Sequence, residues 1–443
     1  MSQFSARRAR LCAQMTPGAV AILPTAPEAM RNSDTDYPYR HDSYFYYLTG
    51  FTEPDSVLVL VAAQGDAPAQ AILFCRQKNL EREIWDGFRH GPDGARTSFG
   101  LDAAFPIEDL DGEMTRLLSN ATAAYYALGH SATLDLQMKT WLQNVRRLSR
   151  SGVTAPTVAH DLFALLDEMR LFKDDGEQAL MLRAATISAH AHERAMRASR
   201  PGMFEYEIEA ELLHEFRRNG AQAPAYTPIV AAGANACVLH YNINNAQSRD
   251  GDLILIDAGC ELDSYASDIT RTYPVNGRFT APQTLLYELV LAAQAAALAV
   301  IKPGTIYTGM HDAAVRVLAQ GMLDTGLLDK SKFGSVDDVI AERAHQQFYM
   351  HGTGHWLGLD VHDAGAYRDV NAEGKPSRAL QSGMVLTVEP GIYVRPAEGV
   401  PEQFWNIGIR IEDDLLVTPQ GHSILSEAAP KTIADIERTM GNR

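Results

Sequence analysis

Cysteine and positive charge are both scarce in this sequence. The 443-residue chain contains four cysteines, Cys12, Cys75, Cys237 and Cys260, and no two of them form a C-x-x-C pair. This scatter argues against a zinc–thiolate cluster or a disulfide framework and is typical of a reducing compartment. Lys and Arg total 39 against 55 Asp and Glu, which gives a net charge of −16. Nucleic acids and anionic membranes bind positive surfaces, so we expect neither as a partner.

Long hydrophobic runs are missing as well. The most apolar stretch, Leu285 to Ile301, is interrupted by Glu288 and Gln294 and falls short of a clean membrane span, so it predicts a buried amphipathic helix. The basic residues near the start of the chain are not followed by a long apolar core, so no secretory signal is predicted. These features predict a cytoplasmic protein.

Three common catalytic signatures do not occur. The sequence has no G-x-S-x-G of a serine hydrolase and no G-x-x-x-x-G-K-[ST] phosphate loop. Gly352, Gly354 and Gly358 miss the spacing of a dinucleotide-binding fingerprint by one residue. A serine hydrolase, a P-loop enzyme and a Rossmann dehydrogenase are therefore disfavoured.

Length and composition predict two domains. The chain is too long for one ordinary core, and its 46% hydrophobic residues are enough for two. Residues 1–172 predict a mixed α/β domain, with a buried strand over Ser56–Ala62. Asp174 and Glu177 have the spacing of a helix capping box, and residues 173–443 then alternate long helical patterns with short strands. The expected fold class is α/β (α+β), with a boundary between residues 172 and 173.

Acidic residues occur at the ends of otherwise apolar strands in the second domain. Asp257 ends the stretch Leu253–Asp257, Glu389 follows Met384–Val388, and Glu412 ends the alternating stretch 407–412. Asp268 lies within a further predicted strand, Tyr265–Thr272. A buried carboxylate without a partner is costly, so we expect the four to share one site rather than to have four separate structural roles.

The segment His351–Asp363 supplies three histidines within thirteen residues. His351 and His355 have the four-residue spacing of a helical H-E-x-x-H zinc site, but the intervening glycines disfavour a helix and no Glu follows His351. Four carboxylates and one imidazole exceed what one small cation usually takes from protein, whereas two ions sharing bridging carboxylates would use them all. This oxygen-rich set suits manganese, iron(II), cobalt or zinc.

Five motifs occur together in an order that resembles the pita-bread metallopeptidases, and among these the bacterial type of aminopeptidase P. They are Leu255–Gly259, Ser267–Thr272, His351–Asp363, Thr387–Gly391 and Gly408–Asp414. The resemblance extends to Tyr37–Arg40, Leu48–Phe51, Glu83–Trp85, Met169–Lys173 and Arg200–Tyr206. It therefore covers nearly the whole chain.

The resemblance implies both a fold and a reaction. The fold would be a creatinase-like N-terminal α/β domain for substrate access and oligomerisation, followed by a catalytic domain with a curved antiparallel sheet of pseudo-two-fold symmetry flanked by helices. The reaction would be release of the N-terminal residue from peptides with proline in second position, by attack of a hydroxide that bridges two Mn²⁺ ions. Cobalt or zinc could replace manganese.

The resemblance also implies roles for individual residues. The implied metal ligands are Asp257 on one ion, Asp268 and Glu412 as bridges, and His355 and Glu389 on the other. The implied catalytic residues are His240, His351, His362, Glu389 and Arg410, and the implied substrate-binding residues are His240, His351, His362, Tyr367 and Trp85. Trp85 would rim the active site, across a subunit contact in a homo-oligomer such as a dimer or tetramer.

Two departures and several alternatives accompany this resemblance. Thr353-Gly354 stands where bacterial aminopeptidase P usually has a Leu-Ser pair, and the interval from His362 to Glu389 is longer by a few residues, around Asn371 to Ser377. Prolidase, which cleaves Xaa-Pro dipeptides, shares all five ligands. A non-catalytic pita-bread peptide-binding module and creatinase-like metal-free chemistry are disfavoured because all five ligands are present. A dinuclear phosphoesterase is disfavoured by the acidic composition.

Overall fold

The computed structural model describes residues 2–441 and divides the chain into two compact units, Met1–Met169 and Arg170–Arg443. This division falls close to the predicted boundary between residues 172 and 173. Residues 1, 442 and 443 of the predicted domains lie outside the described residues. The assignment of the first domain to substrate access and oligomerisation stays a prediction.

The first unit contains a six-stranded mixed sheet. Its strands, in the order β6-β5-β4-β1-β7-β8, pair antiparallel in the middle and parallel towards both edges. The residues of β4 read VLVLV, and almost all are buried because helices cover the sheet. The strands of this unit are β1 Val20–Pro24, β2 Met30–Asn32, β3 Thr35–Asp36, β4 Val57–Val61, β5 Gln70–Cys75, β6 Ala103–Pro106, β7 Ala124–Tyr126 and β8 Ala159–Asp161.

Most helices of the first unit pack at least some residues into the interior, and one has none buried. The helices are α1 Gln3–Gln14, α2 Ser43–Thr49, α3 Leu80–Asp86, α4 Gly91–Phe99, α5 Leu110–Leu118, α6 Ala132–Arg147 and α7 Phe163–Leu171, which runs across the boundary between the units. In α6, for example, Leu134, Met138, Trp141 and Val145 lie on one face and enter the core. The exception is α3, which has no buried residue.

The second unit begins with two long helices, the first of which starts at the predicted capping box. The capping box of Asp174 and Glu177 is present, and the helix it begins ends at Ala198. The next helix ends at Arg218, and Gly220 then adopts a left-handed conformation with φ +93°. The helices of this unit are α8 Asp175–Ala198, α9 Glu205–Arg218, α10 Ala281–Val300, α11 Thr308–Asp324, α12 Lys330–Phe333, α13 Val336–Ala341 and α14 Ile433–Gly441.

Helix α10 corresponds to the apolar stretch noted in the sequence. Within residues 2–441 it is the one helix whose length and composition would suffice to cross a membrane. Leu286, Val290, Ala293 and Ala297 pack on one face into the core of the unit. The buried Gln294 amide donates to the carbonyls of Val388 and Ile411, both at 3.2 Å. The helix thus packs one face into the core, as the sequence predicted.

Small antiparallel sheets carry the acidic residues. Two three-stranded sheets, β10-β11-β14 and β15-β18-β19, and the pair β16-β17 supply the framework of the site. The strands are β9 Ala223–Pro224, β10 Ile229–Ala232, β11 Leu253–Asp257, β12 Cys260–Leu262, β13 Tyr265–Ala266, β14 Thr270–Pro274, β15 Val385–Val388, β16 Gly391–Val394, β17 Ile407–Arg410, β18 Asp413–Thr418 and β19 Gly421–Ile424.

Two predicted strands are shorter than expected. The predicted strand Tyr265–Thr272 is divided into β13 and β14, so Asp268 lies in the link between two sheets rather than inside a strand. Glu412 likewise lies between β17 and β18 and not at the end of one continuous strand. In both places the chain leaves one sheet for another, which alternation along the sequence does not reveal.

Candidate metal centre

All the predicted site residues of the second unit line one cavity. The cavity has a volume of about 650 Å³. Its lining includes His240, Asp257, Asp268, His351, His355, His362, Tyr367, Glu389, Arg410 and Glu412. Predicted site residues up to 172 positions apart in the sequence, His240 and Glu412, therefore surround one space, although their individual roles stay predictions.

Asp257 and Asp268 are brought together by a tight connection. Strands β11 and β14 pair antiparallel with Asp257 opposite Thr270, so Asp268 comes two residues before that pair. Gly259 lets the two segments approach closely, since a Cβ atom there would lie 1.7 Å from the carbonyl oxygen of Ser267. The backbone N–H of Asp268 donates to both carboxylate oxygens of Asp414, at 3.2 and 3.1 Å. These contacts fix the direction of the Asp268 side chain.

His355 and Glu389 are positioned by pairing between neighbouring segments. The N–H of Thr387 donates to the carbonyl of His355 at 2.9 Å, and the N–H of Glu389 donates to the carbonyl of Thr353 at 2.8 Å. The His355 ring then places Nδ1 3.0 Å from the Trp356 carbonyl. This contact orients Nε2 towards Asp268 Oδ2, at 3.4 Å, and Glu389 Oε1, at 3.7 Å.

Three of the predicted ligands form a buried cluster. One donor atom each from Asp268, His355 and Glu412 lies within 4.8 Å of the others, and all three residues are buried. Imidazole nitrogen and carboxylate oxygen are donors suited to first-row divalent cations. The cluster is therefore compatible with a metal site.

The charge state of the cluster supports the same conclusion. Burial, reinforced by the charges of neighbouring carboxylates, raises the pKa of Asp268 and Glu412 above their ordinary values and that of Glu389 to about 7. Burial by itself would lower the pKa of His355, but its hydrogen bond to Asp268 and the charges of Asp268 and Glu389 raise it to about 9. Without a cation, these groups retain protons in order to limit the repulsion. Divalent cations would remove that repulsion, so the residues fit such ions.

Two residues that sequence reasoning missed hold the carboxylates from outside. The hydroxyl of Tyr226 lies within hydrogen-bond distance of carboxylate oxygens of both Asp257 and Asp268 and can donate its one proton to either. The hydroxyl of Thr270 donates to Glu412 Oε2 at 2.6 Å. Tyr226 lies in an irregular segment with no periodic pattern, so no signal in the sequence identifies it. Thr270 lies two residues after Asp268. Its contact is with Glu412, 142 positions away in the sequence, so only the tertiary structure reveals it.

Arg410 and His351 belong to one hydrogen-bonded group. Arg410 Nη2 forms an ion pair with Asp257, and its Nη1 donates to the Tyr393 hydroxyl at 3.0 Å. The same hydroxyl lies 2.8 Å from His351 Nε2. Burial lowers the pKa of His351 to about 4, so its ring is neutral near pH 7. The group links the guanidinium beside Asp257 to the imidazole beside Glu389, whose Oε2 is 3.8 Å from His351 Nδ1.

His362 and His240 lie on the open side of the cavity. Both side chains are exposed, and the ring of His362 stacks on that of His355 with centroids 3.9 Å apart. Burial and the neighbouring His355 lower the pKa of His362 to about 4. Tyr367 lies nearby, where its ring stacks on Trp356 and its hydroxyl accepts the Trp356 N–H at 3.2 Å.

A buried ion triad secures the loop that carries His362. Asp363 Oδ1 lies 2.5 Å from Arg170 Nη2, and its Oδ2 lies 2.8 Å from Lys173 Nζ. Gly358 makes room for this arrangement, since a Cβ atom there would be 2.2 Å from Asp363 Oδ2. The chain turns between His355 and His362, with Gly358 in the turn, and the two rings stack on each other.

Trp85 is the one predicted site residue in the first unit. It lies on α3 and is 82% exposed. Its proposed role at the active site stays a prediction.

Comparison with family profiles gives two matches. The profile of metallopeptidase family M24 matches residues 179–419, and the profile of the aminopeptidase P N-terminal domain matches residues 4–126. The first match contains every predicted metal ligand.

Curated proteins similar to this chain include two bacterial enzymes. The chain is 45% identical to the Xaa-Pro aminopeptidase of Escherichia coli (strain K12) over 438 residues, which cover 99% of this chain and 97% of that protein. It is also 45% identical, with the same coverage, to the Xaa-Pro aminopeptidase of Haemophilus influenzae.

Solved structures give the same result. The Pseudomonas aeruginosa aminopeptidase PepP superposes with a TM-score of 0.95 at 49% identity, covering 99% of this chain and 97% of that one. A zinc-substituted Escherichia coli aminopeptidase P in complex with product superposes with a TM-score of 0.95 at 44% identity, covering 100% and 99%. The predicted fold class, an α/β N-terminal domain followed by a pita-bread domain, is confirmed.

Proposed function

The chain belongs to metallopeptidase family M24, and from this premise we propose how its residues act. It is an Xaa-Pro aminopeptidase, an exopeptidase that releases the N-terminal residue from peptides with proline in second position. The observation that carries this function is the convergence of Asp257, Asp268, His355, Glu389 and Glu412 on one cavity.

For the metal centre, we propose two Mn²⁺ ions. Asp257, Asp268, His355, Glu389 and Glu412 would together hold these ions. The excess of buried carboxylates over cationic side chains supports a total charge larger than that of one divalent ion. When bound, such ions polarise the scissile carbonyl and make water acidic enough to attack it near neutral pH.

Glu389 is assigned the proton transfer. Burial raises the pKa of its carboxyl group to about 7 in the metal-free cluster, and bound cations would lower it, so that the carboxylate form is available to take up a proton. His351 Nδ1 lies 3.8 Å from Glu389 Oε2, which places the neutral imidazole beside this carboxyl group but beyond hydrogen-bond distance. Glu389 would deliver the proton to the proline nitrogen as the peptide bond breaks.

His240 and His362 are assigned to the substrate. Both are exposed on the open side of the cavity, and His362 is neutral near pH 7 because its pKa is about 4. A neutral imidazole offers one N–H, which can donate to the carbonyl oxygen as it gains charge. Tyr367, at the same side, would fix the position of the peptide. Ile229 and Leu239 add an apolar wall to the cavity that fits a proline ring.

The exposed apolar side chains of α3 and of Phe88, two residues after it, support a homo-oligomer. Leu80, Ile84, Trp85 and Phe88 are each more than two-thirds exposed. Contiguous exposed apolar residues of this kind mark interaction surfaces in soluble proteins. We assign this surface to contact with another copy of the chain, where Trp85 would rim that copy's active site.

The variant Trp85→Ala tests this contact. It should shift the protein to a smaller species in light scattering and raise KM for long peptides, because it removes the largest apolar group of the surface. A matched variant, Leu136→Ala, removes an exposed apolar residue of α6 instead and should change neither. Unchanged mass and kinetics in Trp85→Ala would refute the role.

A cytoplasmic location is proposed from the cysteines. Within residues 2–441 no disulfide joins the four cysteines, and Cys75, Cys237 and Cys260 are buried as free thiols. Free thiols are typical of reducing compartments.

Product analysis with metal-stripped protein tests the function as a whole. With added Mn²⁺, the protein should release the first residue of an Xaa-Pro-Xaa tripeptide and cut an Xaa-Pro dipeptide poorly. Efficient cleavage of the dipeptide alone would identify a prolidase instead. Cleavage of neither peptide, with metal bound, would point to a peptide-binding module.

Two variants link this activity to the proposed ligands. Asp268→Asn and His355→Ala should abolish turnover through loss of metal while circular dichroism shows the native fold. Full activity with stoichiometric metal in either variant would contradict the ligand assignment.

A further inference from the structure

Thr353 connects two of the proposed metal ligands through the backbone. Its carbonyl accepts the N–H of Glu389 at 2.8 Å, and it lies two residues before His355. The carbonyl of His355 accepts the N–H of Thr387 at 2.9 Å in the same ladder. A displacement of Thr353 would therefore move the backbone of both ligands.

The Thr353 side chain is held by two partners away from the cavity. Its hydroxyl lies 2.8 Å from His311 Nδ1 and 2.6 Å from the hydroxyl of Tyr349. Thr353 and Tyr349 are almost completely buried. One hydroxyl supplies one donor and two acceptor positions, so either tautomer of His311 completes the group. A buried group with every partner satisfied holds its members in one arrangement.

The same face of α11 makes a second contact with this segment. The hydroxyl of Tyr307, four residues before His311 and so on the same side of the helix, donates to the carbonyl of Gly354. Gly354 in turn packs against the next strand, since a Cβ atom there would lie 2.0 Å from the carbonyl oxygen of Thr387. The helix thus holds residues 353 and 354 directly against the strand that leads to Glu389.

We propose that His311 is a positioning residue of the metal centre, which acts through the Thr353 hydroxyl on the backbone of His355 and Glu389. The inference deepens the proposed function and rests on it, because it takes these two residues as ligands. The hydroxyl of Thr353 is one of the chain's departures from the usual Leu-Ser pair, and His311 and Tyr349 supply the partners that this hydroxyl needs when buried.

Variants that remove or retain single hydrogen-bonding groups test the proposal. His311→Leu and Thr353→Val remove the contact with little change in volume, whereas His311→Asn and Thr353→Ser retain a polar atom close to the original position. Three measurements are made on each metal-stripped protein. Calorimetry gives the Mn²⁺ affinity, and thermal unfolding without metal gives Tm. Assays with added Mn²⁺ on an Xaa-Pro-Xaa tripeptide give kcat and KM. His422→Leu is the control, since His422 donates one comparable bond, from Nδ1 to the Ile301 carbonyl at 3.0 Å, outside the cavity.

The expected result is a weaker Mn²⁺ affinity, by roughly tenfold, in His311→Leu and Thr353→Val, because residues behind metal ligands commonly contribute on that scale. The kcat should fall together with the Mn²⁺ affinity. His311→Asn and Thr353→Ser should retain most of the wild-type affinity and kcat. The double variant His311→Leu/Thr353→Val should bind Mn²⁺ no more weakly than whichever single variant has the lower affinity, because both substitutions remove the same contact.

Unchanged Mn²⁺ affinity in both variants, with or without a lower Tm, would overturn the proposal. Additive losses in the double variant, or an equal loss in His422→Leu, would overturn it as well. If Thr353→Val does not fold, Thr353→Ala takes its place with the same expectations. Failure of the wild-type chain to bind Mn²⁺ would instead refute the proposed function.

Discussion

Replacement of Asp363 by Asn should destabilise the second unit strongly. The carboxylate contacts Arg170 and Lys173, and all three side chains are only 1% exposed. Asn has nearly the same volume, so packing is retained while the negative charge disappears. Lys173 would then lose its carboxylate partner, whereas Arg170 would keep its ion pair with Asp360 at 2.7 Å. Loss of one partner from a buried ion pair costs about 3–5 kcal/mol, and since Arg170 keeps a counter-charge we expect the lower half of that range.

The pH dependence of this effect has a definite sign. Burial by itself would raise the pKa of Asp363, but the charges of Lys173 and Arg170 outweigh it and hold the pKa below its ordinary value. A carboxyl group with a lowered folded-state pKa stabilises the fold fully above its unfolded pKa of about 3.9 and loses that contribution as pH falls through the folded pKa. The difference in free energy of unfolding between wild type and Asp363→Asn should therefore be constant from pH 7 to about pH 4, and it should become smaller below about pH 4.

Urea unfolding followed by circular dichroism measures both the loss of stability in Asp363→Asn and its dependence on pH. A matched control is Asp324→Asn, which breaks an ion pair with Lys330 whose side chains are 54% and 61% exposed. Exposed pairs contribute at most about 1 kcal/mol, so the control should lie close to wild type. A loss in Asp363→Asn no larger than that of the control would refute the reasoning. A gap that stays constant far below pH 4 would show that Asp363 is not the titrating group.

Three further predictions concern the framework of the site. Gly259→Ala should lower the free energy of unfolding by about 3 kcal/mol or more, because the new Cβ would collide with the Ser267 carbonyl; an unchanged urea midpoint would contradict this. Thr270→Val should weaken Mn²⁺ affinity by roughly tenfold in calorimetry, since it removes the hydroxyl that binds Glu412, whereas Thr270→Ser should not. Mn²⁺ at 100 times its Kd should stabilise the metal-stripped protein by about 2.7 kcal/mol in thermal unfolding, and no shift would argue against a site that binds the folded state.

The sequence by itself was sufficient for features that depend on neighbouring residues. The capping box of Asp174 and Glu177, and the apolar strand that ends at Asp257, were predicted from spacing and are present in the structure. Spacing can reveal such features because helix caps and strand ends involve residues within a few positions of one another.

Tertiary structure alone decided which distant groups meet. The bond from Arg170 to Asp363 joins residues 193 positions apart, and that from Thr270 to Glu412 joins residues 142 apart. The links that carry Asp268 and Glu412 also depend on where the chain changes sheets, which is why both were wrongly placed in continuous strands. Periodicity records only which face of an element is buried, and the free energy of a buried charge depends on the particular groups opposite it. Those groups are determined by the path of the whole chain.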